Sequence, residues 1–341
     1  MVNSCYYIAE IPTKDNHAGN KARDDINTIL SEKKIEEIGS YEYREFRNWI
    51  EKILYLFNPK IIVKLIKLFS IKNKKIIIQY PFYCNFILQW ILIRCVKNNK
   101  TCLIIHDVES LRDFGDWSEK KEVDLFNACW KIVVHNEKMK KALEKINVTT
   151  EMINLQLFDY LRDNTSVKQR VLGNELAFAG NLIKSKFLCQ NLDSMGLKIN
   201  LYGPNYDENI INSKCVSYKG SFSPDEIPKS LEGSFGLIWD GNSVNTCDGE
   251  FGRYMKYNNP HKLSLYISAQ MPVIVWEEAA IADFVLKEGI GFTIKELADI
   301  SKKIENMSED TYAMYISNLD RLQKKVVKGD YTKKALMMIE K

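Results

Sequence analysis

The chain has 341 residues, 45% apolar and 27% charged, which is the make-up of a soluble globular protein. That length is awkward for one α/β core and comfortable for two of about 150 residues. Its 48 basic and 44 acidic residues leave a net charge of only +4, too balanced for a dedicated nucleic-acid binder.

Met1-Val2-Asn3-Ser4-Cys5 lacks the basic start and apolar core of a signal peptide. Cys5 to Ile11 then reads as a first strand, followed by a polar loop (12–20) and a helix from about Lys21. Residues 54–75 interleave Leu, Ile and Phe with six lysines and contain no acidic residue. Such a basic amphipathic segment suits peripheral contact with an anionic membrane, or equally a solvated lysine face on a helix packed against a sheet. Ile76 to Tyr80 reads as a buried strand and 82–96 as a helix. Asn85, Gln89 and Arg94 interrupt that helix, which is shorter than the roughly 20 residues a membrane span needs. Strands at Cys102–His106 and Lys131–Val134 flank an acidic loop and a helix at 119–127. Nearly continuous apolar runs predict a parallel sheet covered on both faces.

Residues 163–173 are polar and aperiodic, and the pattern restarts after them. Strands are expected at Glu175–Phe178, Leu197–Tyr202, Val216–Tyr218, Phe235–Trp239 and Val273–Trp276. The fold class is therefore α/β, with two Rossmann-like domains at 1–165 and 171–325. A C-terminal helix at 326–341 packs back on the first domain. Ligands of such sheets bind at the carboxyl ends of the strands, so the expected site is a cleft between the domains. The eight cysteines form no C-x-x-C pair and read as reduced buried thiols of a cytoplasmic protein. Four scattered histidines offer no zinc cluster, and no metal is expected.

The densest chemistry lies in Asn258-Asn259-Pro260-His261-Lys262, just ahead of the apolar run that begins at Leu263. Proline suits the first helical position and the preceding Asn suits the cap. The helix start would then present backbone N–H groups to a diphosphate, with His261 and Lys262 adding donors and positive charge. The plain alternative is a capped structural helix. His106-Asp107 closes an apolar strand, where either side chain could deprotonate an acceptor hydroxyl; equally, Asp107 could cap the next helix. Asp113 and Asp116 share that loop. Gly19 in the 15–21 loop and Gly180-Asn181 with Lys184 hold equivalent strand-end positions in the two halves. Neither is a G-x-G-x-x-G fingerprint, so no dinucleotide cofactor is expected. Asp240, after a buried strand, could hold a sugar hydroxyl, and Arg253 and Lys256 could serve phosphate or decorate the surface. Hydrolase, zincin and P-loop motifs are missing.

The run F-G-L-I-W-D-G-N-S-V-N-T-C at 235–247 and K-Y-N-N-P-H-K-L-S-L-Y-I-S at 256–268 resembles bacterial β-1,6-galactofuranosyltransferases of O-antigen and capsule assembly. Pro272–Trp276, Ala280–Phe284, Ala18–Arg23, Ile105–Asp107 and Phe158–Leu161 extend the likeness over nearly the whole chain, in order. A more distant likeness links the chain to glucosyltransferases that extend N-acetylglucosamine on serine-rich adhesins. The resemblance implies a GT-B fold and metal-independent, inverting transfer of galactofuranose from UDP-galactofuranose to a glycan or glycolipid acceptor. The acceptor would be lipid-linked, at the inner face of the cell membrane. Likeness to the adhesin enzymes puts UDP contacts near Gly19, Lys184, Phe222 and Pro260 to Leu263; Lys184 stands where a relative has Arg. Inversion calls for a single base, and Asp107 or His106 is the candidate. UDP-glucose or UDP-galactose as donor, a non-catalytic GT-B partner subunit, and a homo-oligomer stay open.

Overall fold

In the computed structural model the described residues are 5–11, 18–42, 58–82, 84–112, 118–163, 167–190, 192–211 and 213–340. Asp113 and Asp116, residues 15–17 of the 15–21 loop and residues 54–57 lie outside them. The chain divides into two compact units: 1–15, 22–155 and 332–341 form the first, and 16–21 with 156–331 the second. The polypeptide thus changes unit at Leu155/Gln156, ahead of the polar 163–173 stretch.

The first unit is built on a parallel sheet of β1 (Cys5–Ile11), β2 (Glu36–Glu42), β3 (Lys75–Tyr80), β4 (Lys100–Ile105), β5 (Lys131–Val134) and β6 (Glu151–Asn154), in the order β2-β1-β3-β4-β5-β6. Its helices are α1 (Ala18–Glu32), α2 (Pro59–Ser70), α3 (Phe86–Lys97), α4 (Glu119–Asn127) and α5 (Glu137–Lys145). Local chemistry fixes their starts. Asn58, Asn85, Ser118 and Asn136 each accept a backbone N–H of the first turn, and Pro59 stands directly behind its cap. The central strands β3 and β4 are buried at almost every residue, as a sheet covered on both faces requires. The first helix begins at Ala18 rather than near Lys21, so Gly19 and Asn20 lie in its opening turn.

The second unit repeats the plan with β7 (Glu175–Ala179), β8 (Lys198–Tyr202), β9 (Val216–Gly220), β10 (Phe235–Ile238), β11 (Val273–Trp276) and β12 (Gly291–Ile294), again all parallel. The order β12-β11-β10-β7-β8-β9 is that of a doubly wound nucleotide-binding sheet, whose direction of winding reverses between β7 and β10. Its helices are α6 (Gly249–Tyr254), α7 (His261–Ser268), α8 (Ala282–Glu288), α9 (Asp299–Glu305) and α10 (Glu309–Val326). After α10 comes α11 (Asp330–Glu340), whose residues from Thr332 on belong to the first unit. There Lys131 donates to the Met338 carbonyl and Lys333 pairs with Glu32. Among the described residues no helix is long and apolar enough to cross a membrane.

Candidate active site

β7 and β10 pair only at Phe235↔Leu176 and Gly236↔Ala177 and then part. Helix α7 lies over the parting. The Tyr266 hydroxyl accepts the Ala179 N–H at 3.0 Å and lies 3.1 Å from the Ala177 carbonyl and 3.4 Å from that of Leu237, bridging the two strands. Gly236 makes this possible, since a Cβ there would fall 2.4 Å from the Tyr266 ring. Tyr266 thereby holds the start of α7 against the carboxyl ends of both strands, the place where an open α/β sheet takes its ligand.

That start carries Lys262. Its Nζ lies 3.3 Å from the Trp239 carbonyl, 3.5 Å from Asp240 Oδ2 and 4.2 Å from the centroid of the Phe178 ring. Both polar contacts are long, and the ring faces of Phe178 hold the cation from the other side. Gly180 lets the lysine lie across the strand end, because a Cβ would meet Lys262 Cε at 3.1 Å. Gly203 lies close by at φ +134°, where a Cβ would meet the Gly180 carbonyl oxygen. Asn181 accepts from Asn205 Nδ2 at 3.0 Å. The exposed Lys184 lies 5.1 Å from the centroid of the Phe251 ring. Asp240 faces Lys262 and accepts the Gly241 N–H. Lys256 pairs with Glu278 on the surface.

The helix start differs from expectation in two ways. Pro260 takes the cap position itself, with ψ 132°, and His261 opens the helix. The buried Asn259 donates to the Gln156 carbonyl instead of capping, while the Leu263 N–H is taken by the Pro260 carbonyl. Pro260 makes no side-chain cap, so among the described residues His261 and Lys262 present the leading N–H groups of the helix. His261 adds no positive charge. Burial, above all, depresses its pKa to about 4, and Lys21 pushes the same way. Its Nε2–H points at the Asp159 carbonyl, 3.3 Å away, which leaves Nδ1 as an acceptor. Among the described residues, neither His261 Nδ1 nor Asn258 Oδ1 has a hydrogen-bond partner, although both atoms are buried.

Sequence reasoning missed what stands behind His261. Its ring stacks on Tyr160 at 5.1 Å, and Tyr160 donates to the Pro224 carbonyl. Lys21 lies 5.4 Å from the Tyr160 centroid, donates to the Leu161 carbonyl and pairs with Asp225 at 3.2 Å. The loop after β9, which carries the half-buried Phe222 beside Tyr202, is tied by these bonds to the residues under α7. The A-G-N-K segment and the F-D-Y-L segment were visible as separate motifs, but nothing in the sequence paired them.

In the first unit, His106 follows β4. Its Nε2 donates to Gln79 Oε1 at 2.7 Å, and Gln79 donates in turn to Asn27 and to the Arg23 carbonyl. Asp107 forms an ion pair with Arg112 at 2.9 Å. Glu122, fully buried on α4, accepts the Tyr80 hydroxyl and the N–H groups of Glu109 and Ser110, so it fixes the turn that carries this pair. Arg23 pins the start of α1 through a buried ion pair with Glu10 and a bond to the Pro81 carbonyl. Among the described residues, no three His, Cys, Asp or Glu side chains gather as metal ligands.

Comparison with known proteins settles the family. Two descriptions divide the chain: "Glucosyltransferase 3-like, N-terminal domain" matches residues 5–157, and the corresponding C-terminal domain matches 176–339. The β-1,6-galactofuranosyltransferase WbbI of Escherichia coli (strain K12) is 32% identical over 97% of this chain and 97% of its own. The chain belongs to the glucosyltransferase 3-like family. Glucosyltransferase 3 of Streptococcus gordonii, another member, is 27% identical over 70% of each chain. Among solved structures, WaaG, a glycosyltransferase involved in lipopolysaccharide biosynthesis, superposes with a TM-score of 0.58 at 10% identity, covering 98% of this chain and 99% of that one. This glucosyltransferase 3-like protein is thus a GT-B glycosyltransferase, as the sequence resemblance implied.

Proposed function

We propose that the protein transfers galactofuranose from UDP-galactofuranose to a hydroxyl of a lipid-linked surface-polysaccharide intermediate at the inner face of the membrane. The observation that carries the donor half is Lys262, set on an uncapped helix start at the reversal point of the second sheet. Its ammonium and the leading N–H groups of α7 supply positive potential where a diphosphate departs. The sugar is supported by the 32% identity to the galactofuranosyltransferase over 97% of the chain.

In this reading Asp107 or His106 takes the proton of the acceptor hydroxyl. The acceptor oxygen bonds to the anomeric carbon while the bond from that carbon to the phosphate oxygen breaks. UDP leaves with the electron pair, and the configuration inverts. Lys262 and the α7 N–H groups take up the charge that develops on the phosphate, so the reaction needs no metal and persists in a chelator. A UDP-glucose donor is the second reading, favoured by the 27% identity to Glucosyltransferase 3.

UDP release with UDP-galactofuranose, UDP-galactose and UDP-glucose, on a soluble galactoside or glucoside acceptor, decides between them. Turnover with UDP-glucose alone would overturn the galactofuranosyl reading, and UDP binding without turnover by any donor would mark a non-catalytic partner. Asp107→Asn is expected to abolish transfer and leave UDP affinity intact by calorimetry. Near-normal turnover would leave His106 as the base.

A further inference from the structure

We propose that the outer faces of α2 and α3 together form a docking surface for an anionic lipid bilayer. Helix α2 has two apolar faces. Leu68 is buried and the helix packs against α3 and β2, while Ile62, Val63, Ile66 and Phe69 point to solvent. Beside them, Phe86, Ile87 and Trp90 of α3 are exposed as well. Val63 is 66% exposed, Ile66 62%, Phe86 76% and Trp90 53%, values for side chains in water rather than at the rim of a core. Of the sixteen large apolar side chains exposed among the described residues, seven stand on these two helices. The face is preformed: Phe69 stacks on Trp90 at 5.8 Å, and the Arg94 guanidinium covers Phe69 at 4.2 Å. A soluble protein rarely leaves such a patch without something to cover it.

Charge identifies what covers it. Residues 52–106 hold ten basic side chains and no acidic one, whereas the whole chain has nearly as many acids as bases. At a helical advance of 100° per residue, Lys60, Lys64 and Lys67 fall on one stripe alongside Val63. A second copy of this face would bring two positive fields together, which disfavours a dimer through it. Anionic headgroups complement the lysines, the acyl boundary takes the apolar ridge, and Trp90 suits the interface between them. Docking would have a consequence for the reaction. Helix α3 opens just after the carboxyl end of β3, and β3 lies beside β4, at whose end His106 is bonded to Gln79. A bilayer seated on Phe86 and Ile87 therefore lies at the sheet edge that carries His106 and Asp107. This purpose rests on the lipid-linked acceptor proposed above; the binding itself does not.

The test is sedimentation of the full chain with vesicles of phosphatidylethanolamine containing phosphatidylglycerol, against vesicles of phosphatidylcholine alone. Pelleting is expected with the anionic vesicles and should weaken with added salt. Replacing Lys60, Lys64 and Lys67 by Gln, one after another, should lower the partition about fivefold at each step. Val63→Asp with Ile66→Asp should abolish it. The milder Val63→Ser with Ile66→Ser serves if the first pair misfolds, and both should keep wild-type UDP release on a soluble acceptor. Three results would overturn the proposal: no pelleting, equal pelleting with both vesicles, or a dimer in light scattering that Ile66→Asp dissociates. Failure of the galactofuranosyl reading appears separately, in the donor assay, where no vesicle is present.

Discussion

The carboxyl edges of the two sheets are built from similar residues and used in opposite ways. In the first, most polar groups are engaged with one another: Arg23 with Glu10, Tyr41 with Glu10, Gln79 with His106 and Asn27, Glu122 with two backbone N–H groups. Ser110 Oγ, though, is buried there without a partner among the described residues. In the second, Lys262 has only contacts of 3.3 and 3.5 Å, and His261 Nδ1 and Asn258 Oδ1 have none among the described residues. A buried ion pair holds a helix against its strand. A cation with long partners and buried acceptors awaiting donors are the marks of an edge shaped around something else. In the proposed reading the second edge holds the donor's diphosphate, while the first, more fully bonded within itself, fixes the turn that presents His106 and Asp107.

The sharpest test of this contrast exchanges each cation for an apolar side chain of similar length. Arg23→Met leaves Glu10 buried without its cation and should lower unfolding stability by about 3–5 kcal/mol in urea melts, with UDP affinity of the folded protein unchanged. Lys262→Met should do the reverse. Transfer is expected to fall roughly a hundred- to a thousandfold, with weaker UDP binding by calorimetry and little change in stability. If Lys262→Met unfolds the protein and spares UDP binding, the contrast is broken.

A smaller effect is expected at the strut beneath the second edge. Tyr266→Phe strands the Ala179 N–H in the core and should lower stability by about 1–3 kcal/mol. Because the hydroxyl joins β7 to β10, UDP affinity should fall with it. An unchanged affinity would show that α7 is held in place by packing alone.

Much of this was readable in advance, and the failures have a pattern. Every interior strand is a near-continuous apolar run, and all were identified. The strands not anticipated, β2, β6 and β12, are all sheet edges. An edge strand has one neighbour, so a sequence such as Glu36-Glu37-Ile38-Gly39-Ser40 suffices and resembles a loop. The Pro260-His261-Lys262 start was legible because Pro and Asn punctuate helices locally. The charge state of His261 was not, since it follows first from burial by the tertiary fold and then from Lys21, over a hundred residues away in sequence. Glu122 illustrates the same limit: it lies in the charged run E-K-K-E, where its complete burial has no local signature.

Two histidines, His135 and His261, offer the finest version of the comparison. His135, at the end of β5, directs Nε2 at the Ile105 carbonyl 3.0 Å away, and burial lowers its pKa to about 4, as for His261. In the unfolded chain both would take up a proton near pH 6.5. The unfolded state therefore binds more protons between about pH 6.5 and 4. The stability these neutral rings contribute is complete above that window and is lost as the pH falls through it. Each ring steepens the loss by about 1.4 kcal/mol per pH unit, so His135→Gln should flatten the pH dependence of urea melts by that amount. An unchanged slope would mean that His135 is protonated in the folded protein. UDP separates the two rings. A diphosphate at the start of α7 favours the charged form of His261 and should raise its pKa in an NMR titration, leaving His135, on the other sheet, where it was. Movement of both resonances, or of neither, would place the nucleotide elsewhere.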